Sequence, residues 1–221
     1  MTLKIRNTRD LTRDPRSREP WPENFVEWNK PRDPKLLDEL GRILDQAEDE
    51  KPLQDFYTQQ SYLLAVAFAP HRCWIFPKPR FGGGKLIPDF LYCDRNSLGY
   101  AWTIIELESP LAAPTNKDGS VSKALHHAVE QIHDYRRWVR DYALFEDQQG
   151  LKGLNSDCEG LVVIGRREER TELERQRLAE FRKQKIDIAS YDRLVNDARE
   201  HLAFINHHST TTAKSRRSDR I

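Results

Sequence analysis

The chain has 221 residues, of which 38% are hydrophobic and 32% are charged. This length suits one domain with a small appendage, and the composition allows a hydrophobic core beneath a heavily charged surface. The formal net charge of +1 gives no global preference for nucleic acid, so any basic binding surface must be local.

Hydropathy and cysteine usage exclude two classes of protein. No apolar run reaches the roughly 18 residues of a transmembrane helix, and the first residues lack the apolar core of a secretory signal. The three cysteines, Cys73, Cys93 and Cys158, are widely spaced and form no CxxC pair, which argues against a structural zinc site and a disulfide framework. We therefore expect a cytoplasmic protein without a membrane partner.

Composition divides the chain into three parts. Residues 1–33 are rich in Arg, Pro and Asp and show little periodicity, which predicts an irregular N-terminal arm. Aromatic side chains in this arm are expected to dock on the domain, with stacking on nucleic-acid bases as the alternative: Trp21, Phe25 and Trp28. Residues 34–206 are predicted to form the folded domain, and residues 207–221, which are low in apolar content, a disordered basic tail.

Helices are predicted before the first strand. Asp33 is a suitable N-cap and Pro34 a suitable first residue for an amphipathic helix over 34–50, whose apolar residues recur at helical spacing. A second helical stretch is predicted over 52–68 and a short strand over 74–77.

A β-hairpin is predicted near the middle of the chain. The segments 87–92 and 101–109 are rich in β-branched and aromatic residues, and the segment 94–99 between them has the composition of a turn. Centring the turn between Ser97 and Leu98 fixes the register of the two strands.

This register brings three carboxyl groups together. Asp89 lies opposite Glu106, a spacing at which Cβ atoms are about 5 Å apart, and Glu108 shares a face with Glu106 because strand side chains alternate. No Lys or Arg alternates with them on these strands, so the carboxylates would raise each other's pKa. A divalent cation such as Mg²⁺ or Mn²⁺ would neutralise them. In the alternative interpretation the register differs and the three residues are solvent-facing acids on an edge strand.

The second half of the chain alternates helices and strands. A polar loop over 110–119 precedes a long helix that begins at Ser120 or Ser122, ends near Phe145 and carries an apolar stripe at a spacing of three and four residues. The remaining predicted elements are a covered central strand at 160–165, a helix opened by a capping box at Thr171, a strand at 186–189 and a final helix at 191–204. This order predicts an α/β domain with a mixed central sheet and helices on both faces.

The long helix carries polar residues that could face the carboxylates. Gln131 and Tyr135 lie one turn apart on the same side, and a helix that packs on the hairpin could present Gln131 to the carboxyl groups. The alternative is an ordinary surface glutamine and a core tyrosine. Arg136, Arg137 and Arg140 crowd the end of this helix, where they either stabilise the helix dipole or contact phosphate.

These motifs together resemble the PD-(D/E)XK nuclease superfamily. The elements that carry the resemblance are Pro88-Asp89-Phe90, Ile105-Glu106-Leu107-Glu108 and Gln131-x-x-x-Tyr135, of which the last is similar to the RecB-type branch. Over residues 48–205 the chain is more narrowly similar to the nuclease domain of the Shedu anti-phage defence family. Further matching segments are Glu50-Lys-Pro-Leu53-Gln54-Asp-Phe56 and Ile186-Asp-Ile-Ala-Ser-Tyr191-Asp-x-Leu194. The resemblance implies an αβββαβ core.

The resemblance also implies a function and roles for individual residues. It implies a metal-dependent DNA nuclease in which Asp89 and Glu106 bind Mg²⁺ or Mn²⁺, with the main-chain carbonyl of Leu107 as a further ligand. The other catalytic residues that it implies are Gln131, Tyr135 and an acid from the first helix, either Glu50 or Glu48. Duplex DNA or DNA ends would be the partner, and self-association into a homo-oligomer is typical of the family.

Glu108 departs from the superfamily pattern, which usually has Lys at this position. A glutamate could act as general base or as a ligand for a second metal ion. Alternatively the site has lost activity, and the chain is a nucleic-acid-binding or regulatory module with the same fold. A retaining glycosidase would also use two carboxyl groups about 5 Å apart, but it leaves Gln131-x-x-x-Tyr135 unexplained.

Overall fold

The structure is a computed structural model that describes residues 24–28, 32–68, 70, 72–81, 84–148, 151, 153–167 and 171–218. Most of the N-terminal arm, including Trp21, lies outside the described residues. No described helix combines the length and the apolar character that crossing a membrane requires.

A six-stranded mixed sheet forms the centre of the protein, with its strands in sequence order from edge to edge. The strands are β1 (Phe25–Val26), β2 (Cys73–Pro77), β3 (Phe90–Asn96), β4 (Gly99–Leu107), β5 (Glu159–Val163) and β6 (Ile186–Ala189). The first four strands pair antiparallel, and β4, β5 and β6 pair parallel. The predicted α/β class with a mixed sheet is therefore confirmed.

In the part of the chain that the structure describes, six α-helices flank this sheet. They are α1 (Lys35–Gln46), α2 (Lys51–Gln59), α3 (Ser61–Ala65), α4 (Lys123–Gln148), α5 (Glu172–Lys183) and α6 (Tyr191–Ser218), and a 3-10 turn follows α3. The capping box predicted at Thr171 is present, since its side chain accepts from the Glu174 N–H and the Glu174 carboxylate accepts from the Thr171 N–H.

Two hydrophobic cores lie on opposite faces of the sheet, because successive strand side chains point to opposite sides. Phe90 of β3 and Ile105 of β4 contribute to the core beneath α1, α2, α3 and α6. Leu91 and Ile104, their neighbours in sequence, contribute to the core beneath α4 and α5. Glu106 follows the alternation and therefore points to the α4 side.

The hairpin has the predicted register. Asn96 pairs with Gly99 and Phe90 with Ile105, so the turn is centred between Ser97 and Leu98. The alternative of a shifted register is therefore wrong. Gly99 has a φ of 119°, a backbone conformation that residues other than glycine rarely adopt.

Several predicted boundaries need correction. The helix predicted over 34–50 ends at Gln46, and the stretch predicted over 52–68 is interrupted at Gln60, whose φ and ψ of −116° and 49° are not helical. The last helix was expected to end at Phe204, before a disordered tail over 207–221. It instead continues to Ser218, because extending an existing helix is far less costly than starting one.

The part of the arm that is described is not irregular throughout. Phe25–Val26 form the edge strand β1, and Phe25 packs edge-on against Trp74, with ring centroids 5.7 Å apart. Trp28 lies against His201 of α6, with ring centroids 5.4 Å apart. These aromatic residues dock on the domain, as one of the two interpretations expected.

A candidate active site at the end of the central hairpin

Asp89 sits directly before β3 and joins three elements of the fold. Its Oδ2 accepts a 2.7 Å hydrogen bond from the Leu107 N–H at the end of β4, and its Oδ1 accepts a 2.8 Å bond from the Gln54 side chain of α2. The side chain is almost completely buried. These contacts fix the carboxylate at the end of the hairpin, where α2 closes over the sheet.

Glu106 is the neighbouring carboxyl group and is also buried, with 5% of the residue exposed. Burial and the nearby charge of Asp89 hold its pKa well above the ordinary range, although a hydrogen bond from the Tyr135 hydroxyl opposes this shift. Within the described part of the chain, its Oε1 is a buried atom without a hydrogen-bond partner. A buried carboxylate oxygen without a partner is costly unless a cation or a donor reaches it.

Glu108 follows β4 and completes a cluster of acids. Burial, together with the charges of Glu50 and Asp89, raises the pKa of this half-buried side chain to about 7. Its main chain is held at both ends, because its N–H donates to the Val163 carbonyl at 2.8 Å and its carbonyl accepts from the Tyr191 hydroxyl at 2.7 Å. The structure thus brings Asp89, Glu106 and Glu108 together, as the hairpin register predicted.

Glu50 is the acid that the first helices contribute. It is the N-cap of α2 and acts electrostatically on Glu108, although it lies outside the helix in which it was predicted. Glu48, the alternative, is exposed, and its main-chain carbonyl accepts a 3.1 Å hydrogen bond from Ser109.

Lys78 is a member of the site that the sequence interpretation missed. It follows β2 and lies opposite Asp89, whose carbonyl accepts its N–H at 2.8 Å, while its ammonium group forms an ion pair with the Asp89 Oδ1. Its charge also lowers the pKa of Glu106. Lys78 lies outside the two hairpin strands, and the pairing of Pro77 with Phe90 that places it here depends on the neighbouring strand β2.

Tyr135 and Gln131 of α4 take different positions. Tyr135 is 3% exposed and hydrogen-bonds Glu106, so it belongs both to the core and to the site. Gln131 is partly exposed and, together with Tyr135, lines a cavity of about 270 Å³ beside the carboxylates.

The three arginines of α4 contact other groups of the chain. The Arg136 guanidinium donates to the carbonyls of Cys158, Gln184 and Lys185 at 2.6–3.0 Å. Arg137 forms an ion pair with Asp134, and Arg140 forms one with Asp141. Arg136 in particular ties α4 to the β5 and β6 ends of the sheet, which is a structural role.

The residues present fit a hard divalent cation with few protein ligands. Asp89 and Glu106 offer adjacent carboxylates, and the unpartnered Oε1 of Glu106 is an oxygen donor of the type that Mg²⁺ prefers. Among the described residues, no group of three or more His, Cys, Asp or Glu side chains is arranged to hold a metal ion. A cation here would therefore keep main-chain or water ligands, and it would compete with Lys78 for Asp89.

Comparison with known proteins gives one family. The sequence model of the family described as Shedu protein SduA, C-terminal, matches residues 47–195, which is more than half of the chain. These residues include all the carboxylates described above, Lys78 and the Gln131 and Tyr135 pair. A search of curated proteins found no match to this chain.

Proposed function

This chain belongs to the Shedu SduA family, and from that premise we propose that it is a metal-dependent DNA endonuclease that cuts or nicks phosphodiester bonds. Membership in the family indicates a role in anti-phage defence. The observation that carries the nuclease proposal is the buried pair of Asp89 and Glu106, in which Glu106 keeps an oxygen without a partner. Such a pair is stable in its ionised form only when a cation is close.

Each residue of the cluster has its own proposed role in hydrolysis. Asp89 and Glu106, with the Leu107 carbonyl, would hold Mg²⁺ or Mn²⁺, which when bound polarises the phosphate and lowers the pKa of coordinated water. Glu108 is the proposed acceptor of the proton from the attacking water, and a pKa of about 7 suits a general base at neutral pH. Lys78 would donate hydrogen bonds to the negative charge that develops on the phosphate oxygens.

Tyr135 and Gln54 orient the two metal-binding carboxylates. Tyr135 donates to Glu106, whose Oε1 keeps no other partner among the described residues, and Gln54 donates to the same Asp89 oxygen that Lys78 contacts. Partners of this kind typically contribute 10- to 100-fold to metal affinity or activity, as an order of magnitude.

Nicking of supercoiled plasmid DNA in Mg²⁺ tests the proposal. Asp89→Asn and Glu106→Gln are each expected to lower the nicking rate by more than about 100-fold. Even the loss of a residue that only hydrogen-bonds a metal ligand typically lowers activity roughly 10- to 100-fold. Glu130→Gln, which changes an exposed glutamate of α4, is the matched control and should cut normally. A chelator should abolish nicking. Equal cutting by the wild type and both site variants would remove the assignment.

A second candidate function is a binding or regulatory module without catalysis. It is favoured by Glu108 in place of the usual lysine and by the ion pair of Lys78 with Asp89, which occupies a carboxylate that a metal needs. Such a module would bind DNA equally well with and without Mg²⁺ and never cut it. Glu108→Lys restores the commoner pattern, and cutting that appears only in this variant would support the module.

A further inference from the structure

A cavity of about 270 Å³ lies between α4 and the segment 85–87. We call the segments 78–81 and 84–87, which lead from β2 to this wall, the basic loop. The residues lining it are Lys85, Leu86, Ile87, Gln131, Asp134 and Tyr135. Tyr135 separates the cavity from Glu106, to which its hydroxyl is hydrogen-bonded. A molecule in the cavity would therefore lie one side chain away from the proposed catalytic carboxylates.

The wall of this cavity is fixed by packing. Phe81 and Leu86 form an isolated β-bridge, in which the Phe81 N–H donates to the Leu86 carbonyl at 2.8 Å. Phe81 is 2% exposed, stacks on Trp138 with centroids 5.5 Å apart, and meets Tyr135 edge-on. Because Phe81 anchors the loop to α4, the cavity is formed before any ligand binds, which reduces the entropic cost of binding.

The lining groups combine three kinds of chemistry. Leu86 and Ile87 offer an apolar surface, and the Gln131 amide can both donate and accept a hydrogen bond. Lys85 is exposed and, among the described residues, has no ion-pair partner, so its ammonium group is available to a phosphate. Asp134 would repel a phosphate, but Arg137 pairs with it. An apolar surface, an amide and a cation together match a nucleotide.

We propose that this cavity receives one unstacked base of the DNA strand, adjacent to the phosphodiester bond in the active site, while Lys85 contacts the flanking phosphate. This inference rests on the proposed function, since it assigns the substrate's neighbouring nucleotide to the same site. An intact duplex must unpair and unstack a base to fill the cavity, whereas a single strand or a frayed end does not. The chain is therefore expected to prefer single-stranded or unpaired DNA.

Binding without metal tests the base contact apart from catalysis. The full chain in EDTA is titrated into a fluorescently labelled thymidine octamer or an abasic octamer with the same number of phosphates, and anisotropy is recorded. The thymidine octamer should bind about five- to tenfold more tightly, since stacking and edge contacts require a base. Equal affinity for the two octamers, or no binding of either, would overturn the proposal.

Variants locate the contact. Ile87→Trp, which places a larger ring in the cavity, should remove the preference for the thymidine octamer, and Leu173→Trp, at another exposed apolar position, should retain it. Lys85→Ala should lower the affinity for both octamers equally, by several-fold. Lys117→Ala, at an exposed position elsewhere, should leave both affinities unchanged. Thermal melting checks that each variant is folded. A preference that survives in Ile87→Trp would contradict the assignment of the cavity.

Plasmid nicking separates this inference from the proposed function. Nicking in Mg²⁺ without any preference between the octamers would overturn the base pocket and leave the nuclease standing. A preference that disappears in Ile87→Trp, in a chain that never nicks, would support the pocket and contradict the nuclease.

Discussion

Glu106 is the residue whose environment says most about the cluster. It is buried, it lies beside a second carboxylate, and one of its oxygens has no partner in the described structure. Its pKa is held above the ordinary range, so ionising it at neutral pH lowers the free energy of unfolding. A site that is costly in its empty, ionised form is a site prepared for a cation.

The first prediction concerns the loss of stability that ionising the buried Glu106 causes. In a chelator at neutral pH, Glu106→Gln should raise the melting temperature by about 2–4 °C, the shift expected for roughly 1 kcal/mol in a protein of this size. The reason is that glutamine fills the same space without a charge. Calorimetry provides the measurement, with Glu130→Gln as the exposed control.

The same variant pair checks for the metal. Adding Mg²⁺ should raise the melting temperature of the wild type, because a ligand that binds only the folded state stabilises it. The melting temperature of Glu106→Gln should rise much less on adding Mg²⁺. An equal Mg²⁺ effect on both proteins would contradict a metal site at this carboxylate.

The second prediction concerns Lys78. Its ammonium group is in contact with Asp89, and its charge lowers the pKa of Glu106. Lys78→Met keeps the length of the side chain and removes the charge, and it should reduce plasmid nicking roughly 100-fold, as the loss of a donor to a developing anion typically does. Lys51→Met, which removes an exposed lysine from an ion pair on α2, should cut normally.

At the scale of elements, the site depends on how closely α4 approaches the sheet. Gly160 of β5 lies under this helix, and a Cβ at that position would come within 3.0 Å of two Ile132 side-chain atoms and 3.2 Å of Ile186. The glycine thus lets α4 pack closely enough for Tyr135 to reach Glu106.

The third prediction follows from this contact. Gly160→Ala should lower the free energy of unfolding by about 1–3 kcal/mol, the usual cost of overpacking. Gly41→Ala on α1 is the matched control, because a Cβ there meets nothing within 4 Å. It should stabilise the protein by about 0.5–1 kcal/mol, the helical preference of alanine over glycine. Urea unfolding of both variants decides between these outcomes.

The loop after β4 is a second place where elements meet at the site. Tyr191, the first residue of α6, donates to the Glu108 carbonyl, and Ser109 donates to the Glu48 carbonyl. The first residue of α6 and the bend between α1 and α2 thereby hold the segment that carries the proposed proton acceptor. Residues that hold a catalytic group this way act through its position rather than through chemistry.

At the scale of the whole molecule, charge is nearly balanced, so DNA binding must rely on a few local cations. The basic loop carries three of them: Lys78 contacts Asp89, Lys85 lines the cavity, and the Arg80 side chain lies against Gly84. Arg136, Arg137 and Arg140, for which the sequence also predicts phosphate contacts, donate to carbonyls and carboxylates of the chain.

The fourth prediction uses this count. Binding of a single-stranded octamer in a chelator should depend on salt with a slope of about −2 in a plot of log affinity against log salt concentration, as about three phosphate contacts imply. Lys85→Ala should make the slope shallower by about 0.7, and Lys117→Ala should leave it unchanged. A slope near zero would contradict phosphate contacts by the basic loop.

Local patterns in the sequence determined much of this architecture. The turn composition over 94–99 and the alternation of the flanking strands were enough to give the hairpin register, and hence the proximity of Asp89, Glu106 and Glu108. The capping box at Thr171 and the apolar stripe of the long helix gave α5 and α4. These features could be predicted because each depends on residues close together in sequence and on a fixed strand or helix period.

The surroundings of the carboxylates depend on tertiary packing and could not be predicted. Lys78 reaches Asp89 through the pairing of β2 with β3, Gln54 through the packing of α2, and Tyr191 reaches Glu108 from the start of α6. The diversion of Arg136 to main-chain carbonyls likewise depends on segments that are distant in sequence. Such contacts arise from many weak packing interactions summed over the whole fold, and no periodicity in the sequence records which distant side chains they bring together.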